Sequence, residues 1–81
     1  MRYTIQLFAV ARERMGKPTL EIELPADATI GTLRLELALQ FPVLADILPA
    51  VRFAVNADYA REETQLPAAA EIALIPPVSG G

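Results

Sequence analysis

The last six residues, Pro76-Pro77-Val78-Ser79-Gly80-Gly81, are the stretch of this chain best suited to chemistry. Pro76 and Pro77 hold φ near −65° and favour an extended, polyproline-like path. Val78 and Ser79 carry small side chains, and Gly80 and Gly81 carry none, so the backbone there can thread a narrow channel. Six extended residues span at most about 20 Å. Such a segment would deliver one group, the Gly81 carboxylate, into the active site of another protein. A carboxylate is a poor electrophile. Joined to AMP it becomes a mixed anhydride with a good leaving group, open to a nucleophile such as a sulfur species, and glycine leaves the attacked carbon uncrowded.

Elsewhere the composition offers little chemistry. Among 81 residues there is no cysteine and no histidine, which removes thiol chemistry, the commonest general base and the commonest metal ligand. No metal site and no bound cofactor are expected. A net charge of −3 argues against a nucleic-acid footprint and suits partners with basic surface. With 53% hydrophobic and 21% charged residues, the chain has the profile of one small folded domain. No run approaches the roughly 18 apolar residues of a membrane span. Met1–Phe8 reads as a strand with no signal-peptide pattern, so a cytoplasmic location is the expectation.

The elements that must hold the tail are written in the hydrophobic spacing. Tyr3, Ile5 and Leu7 alternate with Thr4 and Gln6, the period of a half-buried strand. "TLEIEL" alternates likewise, with Leu20, Ile22 and Leu24 inward and Glu21 and Glu23 outward. Between them "ARERMGKP" is polar and punctuated by Gly16 and Pro18, which predicts an antiparallel hairpin with a long loop. Thr29 is placed to cap a helix in which Ile30, Leu33, Leu37 and Phe41 share one stripe and which Pro42 stops. Leu35 and Leu39 fall on the other face. Either "VLADILP" folds back over them or they are exposed; the sharper reading is a contact patch. A third strand over "VRFAV" ends in a turn at Asn56, "REETQLPAAA" is irregular, and "EIALIPP" closes the chain as a strand apolar on both faces. Such a strand is central in a sheet or flanked by an interface.

The order is strand, strand, helix, strand, short elements, strand. It predicts an α+β fold: a mixed sheet with one main helix across one face, and the first and last strands parallel and adjacent at its centre. That is the β-grasp, or ubiquitin-like, architecture. Residues 1–75 would form the domain and 76–81 an extended Gly-Gly tail. If Ile5, Leu7, Ile72 and Leu74 face the helix, then Phe8, Ala73 and Ile75 face outward, with Tyr59 joining them. Phe8 and Ile75 are either covered by local loops or form an apolar docking patch, with Arg12 and Glu13 as rim charges that help register.

"PPVSGG" after "EIALI", the front "IQLFAVARERMG" and the middle "FAVN" resemble the small subunit of molybdopterin synthase, the MoaD-like family, over essentially the whole chain. A departure is "PAAAE", where that family often has a turn containing Gly or Asp. The resemblance implies a sulfur carrier with no catalysis of its own. A ubiquitin-activating-like adenylyltransferase would use ATP and Mg²⁺ to adenylate Gly81, and a persulfide donor would convert the adenylate to a thiocarboxylate. AMP and sulfur would thus be carried only transiently. The tail would then enter the large synthase subunit, in a heterotetramer of two small and two large chains. There its sulfur would help build the dithiolene of molybdopterin from cyclic pyranopterin monophosphate, for molybdenum cofactor biosynthesis. Gly81 would be the reacting residue, Gly80 the residue that threads the channel, and Phe8, Tyr59, Ile75, Pro76, Pro77, Val78, Arg12 and Glu13 the partner-binding set. Three other readings stand beside it. They are a sulfur carrier for thiamine synthesis or tRNA thiolation, a ubiquitin-like modifier forming isopeptide bonds (restrained in chain formation by a single lysine, Lys17), and a plain interaction module.

Overall fold

The computed structural model describes residues 1–77. The alternating N-terminal stretch forms strand β1 (Arg2–Leu7), with Tyr3, Ile5 and Leu7 all at 2% exposure or less. Strand β2 (Thr19–Glu23) pairs with it antiparallel, Tyr3 opposite Ile22 and Ile5 opposite Leu20. The apolar halves of both strands therefore fall on one face. Helix α2 (Ile30–Gln40) crosses that face and buries Ile30, Leu33 and Leu37 completely. Its start is set by Thr29, whose hydroxyl oxygen accepts from the Thr32 N–H at 3.2 Å. Two single-turn 3₁₀ segments, Pro42–Leu44 and Leu48–Ala50, bring Leu44 and Leu48 into the core. Strands β3 (Arg52–Val55), β4 (Asp58–Tyr59) and β5 (Ile72–Ile75) complete the sheet.

The five strands run β2-β1-β5-β3-β4. The central pair, β1 and β5, is parallel, with Ile5 opposite Ile72 and Leu7 opposite Leu74. All other pairs are antiparallel. This is the mixed β-grasp sheet that the element order predicts, with the chain's first and last strands at its centre.

Two local features differ from the sequence expectation, and a third chooses between its alternatives. The connection between β1 and β2 is not a plain loop but holds a short helix, α1 (Ala9–Met15). Ala11 is its one buried residue and Met15 packs at the edge of the core. Gly16 ends it in the left-handed region (φ 70°), its N–H returning to the Arg12 carbonyl at 2.9 Å. Secondly, the turn at Asn56 leads into β4. Asn56 and Ala57 both have positive φ (51° and 74°), the geometry of a tight two-residue hairpin. Of the two readings of Leu35 and Leu39, the exposed one holds: the segment after α2 does not cover them, and they remain 61% and 65% exposed.

That segment is tied down by two arginines. Arg34 donates through Nη1 to the carbonyls of Leu48 and Val51, the latter at 2.7 Å. Its Nε donates to the Glu62 carboxylate at 3.0 Å, and its guanidinium lies 5.1 Å from the Phe53 ring centre. One planar fork thus joins α2, the second 3₁₀ turn and the long connection before β5. On the other side Arg14 of α1 donates to Asp46 and to the Val43 carbonyl, and this pairing holds the Asp46 carboxyl below its ordinary range.

Candidate functional site

The stretch 76–81 follows directly on β5 in the chain, so the surface around the end of that strand is the natural candidate. Leu7 and Leu74 form a facing pair, which places Phe8 and Ile75 side by side one residue further along. Phe8 is still extended (φ −132°, ψ 156°), and its carbonyl accepts from the Ala11 and Arg12 N–H groups as α1 begins. The chain turns away immediately after the aromatic ring, at Ala9 (φ 50°). Phe8 is left 45% exposed, and Ile75 is half-buried. Together with Ala9, Val10, Glu13, Pro76 and Pro77 they line a cavity of about 560 Å³. Pro76 is itself buried, so the chain stays seated on the domain one residue beyond β5, and Pro77 is exposed.

The same face continues across the sheet. Ile75 is opposite Arg52, and Ala73 is opposite Ala54, which in turn faces Tyr59. The two alanines make a shallow dip bounded by Gln6, Ala57 and Glu71. Tyr59 is 61% exposed, with the Arg52 guanidinium 4.3 Å from its ring centre. This stacked pair forms one wall, and the Phe8 ring forms the other.

The structure therefore brings Phe8, Glu13, Ile75, Pro76 and Pro77 to one cavity and sets Arg12 on the exposed side of α1 beside it. Tyr59 lies on the same sheet face but two strands away from Ile75, separated from it by Arg52. Val78, Gly80 and Gly81 lie outside the described residues. Arg52 is the member that the sequence reading missed. Its signal was its place as the polar residue before Phe53, which puts it on the outward face of an otherwise apolar strand. Among the described residues no group of His, Cys, Asp or Glu is arranged to hold a metal. No described helix is long and apolar enough to cross a membrane.

Comparisons with known proteins match the sequence over nearly its whole length and the β-grasp fold. The profile of the ThiS family covers residues 5–81. The chain belongs to the ThiS family. Within it, the chain is 38% identical over 77 residues to the molybdopterin synthase sulfur carrier subunit of Arabidopsis thaliana, covering 95% of this chain and 80% of that one. It is 36% identical over 83 residues to the protein of the same name from Dictyostelium discoideum, covering 99% and 96%. These relatives agree with the family that "PPVSGG", "IQLFAVARERMG" and "FAVN" resemble. Among solved structures, SAMP1 from Haloferax volcanii superposes with a TM-score of 0.83 at 28% identity, over the whole of both chains. A molybdopterin-converting factor subunit 1 from Pyrococcus furiosus gives 0.80 at 26% identity, covering 95% of this chain and 98% of that one. For this ThiS-family chain the fold match extends to subunit 1 or 2 of a Helicobacter pylori molybdopterin-converting factor complex, at a TM-score of 0.69 and 24% identity over all of both chains.

Proposed function

We propose that this chain is the sulfur carrier subunit of a molybdopterin synthase. The observation that carries the reading is the kinship with named sulfur carrier subunits over nearly the whole chain, together with the "PPVSGG" ending at the foot of an open apolar face. In this reading a Gly81 carboxylate oxygen attacks the α-phosphate of ATP, and pyrophosphate leaves. A persulfide sulfur attacks the resulting acyl adenylate, AMP leaves, and a second thiol reduces the acyl disulfide to the thiocarboxylate. The chain contributes no acid, base or metal to these steps. It supplies the electrophilic carbon, the reach of the tail and the surface that docks on the adenylyltransferase and on the large subunit. A dithiolene holds two sulfurs, so two loaded copies serve each product.

The test is direct. The chain is incubated with adenylyltransferase, ATP, sulfur donor, large subunit and pterin precursor. The intact protein should gain the mass of one oxygen-to-sulfur exchange, and dithiolene should form. Deleting Gly81, or extending the chain past it, should abolish both while leaving the fold intact; activity in a clean deletion would refute the reading. One observation favours a second reading, in which Gly81 is joined to amines of other proteins: the close superposition on a protein named SAMP1, and on others titled small archaeal modifier protein 1. Covalent adducts of substrate size, in place of the sulfur exchange, would mark that role.

A further inference from the structure

Seven side chains of this chain are basic. Four of them are paired with carboxylates: Arg2 with Glu21 and Glu23, Arg14 with Asp46, Arg34 with Glu62, and Arg61 with Glu63. The other three, Arg12, Lys17 and Arg52, have no carboxylate within 4.0 Å among the described residues. Arg12 and Lys17 share the connection between β1 and β2, and the topology brings the distant Arg52 to the same end of the sheet. Arg12 follows Phe8 by one helical turn, its N–H bonded to the Phe8 carbonyl. Lys17 precedes Pro18, whose carbonyl accepts from the Leu7 N–H at 2.8 Å. Arg52 lies opposite Ile75 in the β3–β5 register. All three are exposed, and all three surround the point where the tail departs. Among the described residues, Glu13 is the one carboxylate that lines the Phe8–Ile75 cavity. The opposite end of the sheet carries Asp58 and Glu71 around the β3–β4 turn, without a basic partner among the described residues.

We infer that the tail-exit end is a basic collar fitted to an acidic rim around the partner's channel mouth. This deepens the sulfur-carrier reading and rests on it. The cations stand on α1, on the turn before β2 and on β3, around the apolar Phe8–Ile75 patch; they do not converge on one point. That layout suits carboxylates ringing an apolar pocket on a protein, the arrangement of a polar rim around an apolar interface core, and not one small anion. It also reverses the expectation from net charge: a protein of net charge −3 presents its unneutralised positive end to the partner. Exposed charges of this kind act mainly on encounter. They orient the approaching domain tail-first, and their reach is a Debye length of about 8–10 Å near physiological salt.

The experiment measures the association rate of the full chain with the purified large subunit of the same organism, by stopped flow, across a sodium chloride series. Lys17→Glu combined with Arg52→Glu should slow association about tenfold at low salt, flatten the salt dependence, and merge with wild type at high salt. Lys17→Gln, which touches no packed group, should give a smaller loss in the same direction. Arg2→Glu, at the far end of the sheet, should leave the rate unchanged. Tight binding with pterin conversion but no salt dependence overturns the collar and leaves the carrier reading standing. Failure to bind the large subunit at any salt overturns both. Saturable binding of inorganic pyrophosphate that shifts all three residues together in NMR spectra, with an unaltered association rate in the variants, assigns the cations to a small anion and also overturns the collar.

Discussion

Phe8→Ala separates a docking surface from a core. Phe8 is 45% exposed, and an aromatic side chain offers roughly 200 Å² of surface. About 90 Å² therefore remains for a partner to cover. At about 25 cal/mol per Å² this amounts to about 2 kcal/mol, or roughly thirtyfold in dissociation constant. The half that already packs on α1 and Ile75 limits the loss of stability to about 2 kcal/mol, well short of the 3–5 kcal/mol expected for a fully buried ring. Phe53, 1% exposed, is the internal standard for that larger loss. Isothermal titration against the large subunit and denaturant unfolding should be run on both variants. The expected result is a weakened complex with a modest stability change for Phe8→Ala, and the reverse for Phe53→Ala once folded. If Phe8→Ala unfolds as easily as Phe53→Ala and still binds at wild-type strength, the apolar face has been misassigned.

Gly80→Val should keep the unfolding midpoint and lose sulfur transfer, since the proposal makes Gly80 a threading residue; a parallel fall in both, seen by calorimetry and a dithiolene assay, would show the tail packed on the domain. Ala69 holds φ 58° in the "PAAAE" turn, a region that costs a residue with a β-carbon roughly 1–2 kcal/mol, so Ala69→Gly should raise the melting temperature by roughly 5 °C. An unchanged or lower Tm would count against strain at that turn. Arg14 lowers the Asp46 carboxyl below the ordinary 3.8. The pairing is thus complete above the unfolded value and lost as pH falls through the lower, folded one. The NMR signal of the Asp46 side-chain carboxyl should stay constant from neutral pH to about 4 and move only below it; a transition of that carboxyl above pH 5 would contradict the pairing.

The strands and α2 were legible because each buries one face, and burial writes a period of two or of 3.6 into the sequence. Helix α1 was not legible. Seven residues with one buried alanine carry too short a stripe, and Gly16, which looks like loop punctuation, is its C-terminal cap. Strand β4 is two residues long and follows a turn whose second residue is Ala57, not glycine, so neither the run nor the turn declares itself. Phe8 and Ile75 stood out as apolar residues breaking a polar row. Arg52 did not, because its meaning depends on lying opposite Ile75 across two strands, and pairing register between distant segments leaves no local mark.

The central pairing of β1 with β5 also governs when the molecule can exist. Ile5 and Leu7 wait for Ile72 and Leu74, so the middle of the sheet closes only after nearly the whole chain has left the ribosome. Non-local pairings of this kind are slow to form and reward the chain late. An interrupted chain that stops short of β5 leaves β1 and β3 as two further edge strands and the core open, and so is a substrate for proteases. Folding therefore acts as an inspection of the translated chain: a copy that reaches the native state is one whose strand β5 has been made.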